Sequence, residues 1–188
     1  ADVRGTPRQN GAWHIGRHEP DYMHIEAHQV LPRLLQGLGI ERPVLIGHSM
    51  GGASAMLAVQ LGLRTENLVS IAAPARILSV LRGFAKFVGM PARARSAFIR
   101  TIEQEVGIPA SRLDVAHYQL DMPGLIVHAE DDTFVRVSES QLIHEAWFDS
   151  RLLRLEQGGH QRVLADPRVV EGVLTLLAGR SLQARQSA

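Results

Sequence analysis

The chain has 188 residues, of which 45% are hydrophobic and 21% are charged, and its net charge at pH 7 is +1. This composition is typical of one globular domain with its own core, and the balanced charge gives no reason to expect binding to nucleic acid or to an anionic membrane. The chain has no cysteine, no signal-peptide pattern and no apolar run long enough to cross a bilayer, which excludes disulfides and a cysteine nucleophile and favours a cytoplasmic location.

Predicted helices and strands alternate along the chain. Residues 1–20 predict a loop, and a helix begins after Asp21 and is interrupted at Pro32. Short apolar runs predict four strands, at residues 44–46, 68–72, 124–128 and 152–155, and the first two are expected to be buried. Helices are predicted directly after Ser49, over residues 138–148, and from Pro167 to Gly179. The alternation predicts an α/β fold with a mostly parallel sheet and flanking helices.

Residues 74–121 have a different pattern from the rest of the chain. They contain two amphipathic helical stretches separated by Pro91 and no predicted strand. We therefore predict one α/β core, made of residues 1–73 and 122–188, that carries a helical insertion at 74–121. The apolar residues Phe84 and Phe87 belong to the first of these helices.

The stretch "VLIGHSMGG" places Ser49 at a corner between a predicted strand and a predicted helix. A tight turn of this kind exposes a serine hydroxyl to substrate, and glycines at 47 and 51 would relieve the crowding because they lack a Cβ. The free N–H groups and the dipole of the following helix favour developing negative charge, and the Met50 N–H is the natural oxyanion donor. The pattern predicts that Ser49 is a nucleophile.

A serine nucleophile needs a base beside it, and the chain has nine histidines. His160 is the candidate, because it follows a predicted strand and the flexible pair Gly158-Gly159 and precedes a capped helix. His128 lies within a predicted strand, where a packed side chain is expected. His48 is adjacent to Ser49, so it either lines the substrate pocket or belongs to the turn.

The whole arrangement resembles the α/β-hydrolase family. "PVLIGHSMGG" is similar to the nucleophile elbow of that family, "LIVHAEDDTFV" to the strand end that carries the catalytic acid, and "LEQGGHQRVLADP" to the loop with the catalytic histidine. "ADVRG" is similar to the loop after the fourth strand of the family's sheet. The resemblance covers nearly the whole chain and has the family's order of serine, acid and histidine.

The resemblance implies a Ser49–His160–Asp132 triad that acts without a cofactor on a small ester or acyl substrate. In the family the acid is the last residue of a G-x-x-D pattern, and Ala129 stands at the position of that glycine, so the pattern assigns Asp132 as the acid. Because alanine replaces the glycine, Asp131 remains an alternative. The insertion would be a cap that shapes substrate choice, with Phe84 and Phe87 as candidate pocket residues. Serine at the elbow argues against the branches of the family that use a carboxylate nucleophile.

One part of the family pattern is missing. Family members have about three further strands before the "ADVRG" loop, and nothing in residues 1–48 resembles the loop that supplies their second oxyanion donor. We therefore expect an exposed edge on the strand at 44–46, covered by a homodimer partner or a complementing chain, and weak activity of this chain alone. The alternative is a hydrolase remnant that is inactive and acts as an interaction module.

Two pairs of histidines have the spacing of neighbouring residues on one face of a helix. His14 and His18, and likewise His24 and His28, are four residues apart, a spacing that can bind zinc. The order of residues is not that of the zinc-protease motif, and no third ligand is evident. We therefore expect solvated histidines and no metal site.

Overall fold

The computed structural model describes residues 6–7, 13–14, 26–107 and 109–186. Its sheet has four parallel strands in chain order, which are β3 (Val44–His48), β4 (Asn67–Ile71), β5 (Gly124–Ala129) and β6 (Ser150–Leu155). Two short strands before it, β1 (Thr6–Pro7) and β2 (Trp13–His14), pair antiparallel with each other. The predicted α/β fold and all four predicted strands of the sheet are confirmed.

Helices connect and flank the strands. They are α1 (Leu31–Gly37), which continues a π-helical turn at Glu26–Val30, then α2 (Met50–Gln60), α3 (Ile77–Phe87), α4 (Ala92–Val106), α5 (Val137–Ala146), α6 (Gly159–Arg162) and α7 (Pro167–Gln186). Asp21 lies outside the described residues. No helix in the described ranges combines the length and the apolar character needed to span a bilayer.

The predicted end of the last helix at Gly179 is wrong. α7 runs through Gly179 and ends at Gln186. A Cβ at residue 179 would meet no other atom, and its φ is not in the left-handed region. A glycine with helical backbone angles costs a helix only about 1 kcal/mol relative to alanine, which is too little to stop a helix that continues on both sides.

The sheet is buried on both faces by separate groups of apolar residues. On one face, Leu68 and Ile126 pack with Met56 of α2, with Ile143 of α5 and with Trp147, the residue after α5. On the other face, the core residues are Val69, Ile71, Ala72, Leu125, Val127, Ala129, Leu155, Val163 and Val169. Side chains of successive strand residues point to opposite faces, so β4 and β5, which are buried throughout, contribute to both. This burial holds the carboxyl ends of the strands together at one edge.

β3 is at the edge of the sheet and is only partly covered. Among the described residues, it pairs with β4 alone. Val44 and Ile46 are 37% and 57% exposed, whereas Leu45, which points to the opposite face, is 9% exposed. β3 therefore has one buried face and one that is open to solvent among the described residues, so the prediction that this strand is buried on both faces is wrong.

The segment between β4 and β5 is helical, and its two ends are joined by backbone contacts. It contains α3 and α4, followed by 3₁₀ turns at Ala110–Leu113 and Val115–His117. Arg76 and Asp114 form an isolated antiparallel bridge, and the Val115 N–H donates to the Ala75 carbonyl at 2.9 Å. The two ends of the segment are thus joined side by side.

Glu139 of α5 anchors that junction to the core. Its Oε2 accepts from the backbone N–H groups of Ala75 and Arg76, each at 3.1 Å, and its Oε1 accepts from the Arg76 guanidinium. Glu139 is 4% exposed, and a buried carboxylate of this kind is stable only when it is paired and hydrogen-bonded, as it is here. No sequence pattern pointed to this contact.

Candidate active site

Ser49 lies at a strained turn between β3 and α2. Its backbone has φ 55° and ψ −125°, angles that a residue other than glycine rarely adopts and that cost about 1–3 kcal/mol. The turn is held because the Ser49 N–H donates to the Ile71 carbonyl at 2.8 Å, and the Ser49 carbonyl accepts from Gly52 at 3.0 Å and Ala53 at 3.2 Å. Strain of this kind is maintained where the position of a side chain matters for function.

The glycines around Ser49 differ from the expectation at one position. A Cβ at Gly47 would lie 2.5 Å from the Gly51 carbonyl oxygen, so Gly47 is required by close backbone approach, as predicted. A Cβ at Gly51 would meet nothing within 4 Å, so the prediction that Gly51 relieves crowding is wrong. Gly52 has that role instead, because its Cβ would lie 2.8 Å from the Cβ of Ala73, which packs against the turn.

Met50 is the first residue of α2. The first N–H groups of an α-helix have no acceptor within the helix, so the Met50 N–H lies outside the helical hydrogen-bond ladder. It directly follows Ser49 in the chain and carries part of the positive end of the helix dipole. The position is suited to binding an anionic oxygen next to the Ser49 hydroxyl.

His160, Asp132 and Ser49 form a continuous row of hydrogen bonds. The Nδ1 of His160 lies 2.8 Å from Asp132 Oδ2, and its Nε2 lies 2.9 Å from Ser49 Oγ. Because a carboxylate only accepts, Nδ1 carries the proton, and the lone pair of Nε2 faces the serine hydroxyl. The His160 side chain is 14% exposed and that of Asp132 is fully buried.

The two adjacent carboxylates make different contacts. Asp132 Oδ1 accepts from the N–H groups of Phe134 at 2.8 Å and Val135 at 2.9 Å, which leaves Oδ2 for His160. Asp131 Oδ1 accepts instead from the Gly159 N–H at 2.7 Å and makes no contact with the imidazole. The N–H of Gly159 lowers the pKa of the Asp131 carboxyl below its usual value.

Two aromatic rings lie beside His160. The ring of His48 is 4.8 Å away between centroids, and its Nε2 donates to the His160 carbonyl oxygen at 2.7 Å. The ring of Phe134 is 5.5 Å away and 77% exposed. Sequence reasoning missed Phe134; the available signal was a large apolar residue two positions after the predicted acid.

Phe84 and Phe87 lie on α3, apart from this row of hydrogen bonds. Phe84 is 52% exposed and packs on Phe98 of α4 with 5.9 Å between ring centroids, and Phe87 is 82% exposed. Among the described residues, neither ring contacts His48 or His160. Of the histidines with metal-like spacing, His18 and His24 lie outside the described residues.

His128 of β5 is fully buried behind the acid. Its Nε2 donates to the Val135 carbonyl at 2.9 Å and lies 3.4 Å from Asp132 Oδ2, while its Nδ1 is buried without a partner. Burial lowers the pKa of His128, and this outweighs the opposing effects of Val135 and Asp132. His128 is therefore neutral in the folded protein, in agreement with the prediction of a packed strand residue.

Stability is expected to fall as the pH drops below about 6.5, because the unfolded chain protonates His128 there while the folded chain does not. His128 contributes at most about 1.4 kcal/mol per pH unit to the slope of the unfolding free energy against pH. This contribution continues until the pH falls to the lowered pKa of His128 in the folded chain. The variant His128→Gln keeps a donor for Val135 and does not titrate, so urea unfolding between pH 7.5 and 5 should show a shallower slope. His117→Gln, at an exposed position, is the matched control. Equal slopes for His128→Gln and the unsubstituted chain would contradict the assignment.

Comparisons with known proteins give matches among structures. The sequence matches no protein-family model and no curated protein. An esterase from a Rhodococcus species matches with a TM-score of 0.60 at 17% identity, over 89% of this chain and 76% of its own. A bromoperoxidase from Bacillus anthracis matches with a TM-score of 0.59 at 20% identity, over 89% of this chain and 78% of its own. An alpha/beta hydrolase from the metagenome of lagoon sediments at Mar Chica, Morocco, matches with a TM-score of 0.57 at 18% identity, over 80% of this chain and 67% of its own. At these identities the similarity establishes the fold.

Proposed function

We propose that this chain, which has the α/β-hydrolase fold, is a serine hydrolase that cleaves carboxylic esters or related acyl bonds through an acyl-enzyme. The observation that carries the proposal is the row of two hydrogen bonds, at 2.9 and 2.8 Å, that joins Ser49 Oγ through His160 to Asp132. The base is within hydrogen-bond reach of both the nucleophile and the orienting acid, which is the geometry that nucleophilic catalysis requires.

In the first half-reaction, Ser49 Oγ attacks the substrate carbonyl carbon while His160 Nε2 takes the hydroxyl proton. The charged imidazole is stabilised by Asp132, which also keeps the proton on Nδ1. His160 then gives the proton from Nε2 to the leaving oxygen, the bond to the alcohol breaks, and the acyl group stays on Ser49. In the second half-reaction, a water molecule repeats the attack with the same base, which releases the acid and restores the Ser49 hydroxyl.

The negative charge of the tetrahedral intermediate needs donors near Ser49. We assign the Met50 N–H to this task, because it is the first N–H of α2 and follows the nucleophile directly. Loss of one of two oxyanion donors typically lowers turnover by about 100- to 1,000-fold. A chain with the Met50 donor alone would therefore be a weak catalyst.

The substrate is proposed to be a small molecule with an apolar part. Phe84 and Phe87 of α3 expose large apolar surface, and Phe134 lies next to His160. Thioesters, amides and C–C bonds next to a carbonyl are alternatives, since the same triad can cleave them. A panel of p-nitrophenyl esters and thioesters of increasing acyl length would identify the preferred class.

A fluorophosphonate probe tests the proposal directly, because it reacts with a serine only when that serine is activated. We expect one probe molecule per chain by intact mass, located on the peptide that contains Ser49, and no labelling of Ser49→Ala. Ser138→Ala, at an exposed position on α5, is the matched control and should label fully. A folded chain that does not label, or labelling that survives Ser49→Ala, would overturn the proposal.

An interaction module is the second candidate. It is favoured by β3, whose residues Val44 and Ile46 are exposed at the edge of the sheet. Exposed apolar residues on an edge strand invite pairing with a second chain, either another copy or a complementing one. A folded chain that fails to label but forms a dimer in sedimentation experiments would favour this candidate.

A further inference from the structure

The turn that carries His160 has little intrinsic rigidity. His160 is the second residue of the four-residue helix α6, and it follows Gly158 with φ 145° and Gly159 with φ 55°. Glycine has more conformational freedom than any other residue, so a pair of them before a one-turn helix does not hold a side chain in place. Contacts from elsewhere in the fold must fix the position of the imidazole.

Two hydrogen bonds hold the backbone on either side of the His160 Cα. The Gly159 N–H, before it, donates to Asp131 Oδ1 at 2.7 Å. The His160 carbonyl, after it, accepts from His48 Nε2 at 2.7 Å. Asp131 follows β5 and His48 ends β3, so the turn is tied to two separate strands of the sheet.

We propose that His48 and Asp131 are positioning residues that hold the backbone of residues 159–160, so that the His160 imidazole reaches Ser49 and Asp132 together. This rests on the proposed function. His160 is then held by four hydrogen bonds, two on its ring, one on its own carbonyl and one on the N–H of the preceding Gly159. Neither positioning residue takes part in the proton transfers.

The chemistry of each contact agrees with this role. The backbone carbonyl of His160 only accepts, so His48 must carry a proton on Nε2, and that proton is present in both the neutral and the charged imidazole. Asp131 receives its hydrogen bond as a carboxylate, and the Gly159 N–H favours that charged form. Both contacts therefore persist over the pH range in which His160 can act as a base.

The expected effect of losing a contact is on turnover. A misplacement of about 1 Å can lower the rate of a catalysed reaction by about 100-fold. We expect Asp131→Ala and His48→Leu each to lower kcat for a p-nitrophenyl ester by about 10- to 100-fold, with KM changed by less than about 2-fold. A His48 that contacted the substrate would instead change KM, which separates this role from that of a pocket residue.

Conservative variants supply the control. Asp131→Asn keeps an acceptor oxygen in the same place, and His48→Gln keeps a donor at a similar reach. We expect both to retain kcat within about 3-fold of the unsubstituted chain, which a general loss of stability would not predict. Equal losses in the conservative and the truncating variants, or no loss in any of them, would overturn the proposal.

Hydrogen exchange at the Gly159 amide gives a readout that does not depend on activity. The amide should exchange slowly in the unsubstituted chain and in Asp131→Asn, and at least about 10-fold faster in Asp131→Ala, because a hydrogen-bonded amide exchanges only after opening. Unchanged exchange in Asp131→Ala would overturn the proposal even in an active enzyme. Faster exchange in a chain that hydrolyses no ester and does not label would support the backbone contact and defeat the proposed function.

Discussion

Replacement of His160 by alanine is expected to lower kcat for ester hydrolysis by up to about 10⁶-fold. The Nε2 of His160 lies 2.9 Å from Ser49 Oγ, and no other described side chain is hydrogen-bonded to that oxygen. Without the base, the hydroxyl stays protonated and is a poor nucleophile. Initial rates with a p-nitrophenyl ester, and the second-order rate of fluorophosphonate labelling, measure the loss.

His117→Ala, in the exposed 3₁₀ turn before β5, controls for the removal of a histidine as such and should keep both rates. The pH profile adds a separate check, since the remaining rate of His160→Ala should rise in proportion to the hydroxide concentration. A His160→Ala variant that kept more than about a hundredth of the original kcat would show that another group deprotonates Ser49.

The second large effect is expected for Asp132→Asn, which should lower kcat by about 10⁴-fold. The asparagine side chain has the same shape as the carboxylate, but its amide group can donate to His160 Nδ1. The imidazole then carries its proton on Nε2, facing Ser49, where it can no longer act as a base. KM should change little, because Asp132 is buried behind His160 and does not face the substrate.

Asp131→Asn is the matched comparison for this variant, since it makes the same chemical change one residue earlier in the chain. We expect its loss in kcat to stay within about 3-fold, because the asparagine keeps an acceptor for the Gly159 N–H and leaves the imidazole ring untouched. The ratio of the kcat values of the two variants shows which of the two carboxylates is the acid of the triad. A larger loss for Asp131→Asn than for Asp132→Asn would reverse the assignment and remove Asp132 from the triad.

The exposed apolar residues of β3 affect how these rates should be measured. Val44 and Ile46 of β3 are exposed, and the solved structures that match this chain are longer, since it covers 67 to 78% of their lengths. A chain that pairs through β3 would have a rate that depends on its concentration. Activity should therefore be compared over at least a tenfold range of protein concentration before variants are ranked.

Much of the fold was determined by local sequence. Apolar runs between turn residues predicted the positions of β3 to β6 correctly. The two central strands, β4 and β5, are buried on both faces, where few residue types fit. The turn at Ser49 was predictable for a similar reason, since Gly47 has no space for a Cβ. The resemblance to the α/β-hydrolases is confirmed for the fold by the structural matches.

The candidate site was predictable in its residues and not in its contacts. The order of Ser49, Asp132 and His160 along the chain allowed the triad to be proposed, and parallel strands bring their carboxyl ends to one edge. Local sequence could not divide the roles of Asp131 and Asp132, because both follow β5 and both are carboxylates. Their different partners depend on the position of residues 159 and 160, nearly thirty residues later in the chain.

Tertiary structure alone decided the contacts that join distant segments. The hydrogen bond from His48 to the His160 carbonyl and the anchoring of Arg76 by Glu139 have no signal in the neighbouring sequence. The physical reason is the same in each case. Periodicity and turn chemistry specify how a segment folds and which face it buries, whereas a hydrogen bond or ring contact between segments depends on where packing of the sheet and helices brings two side chains together.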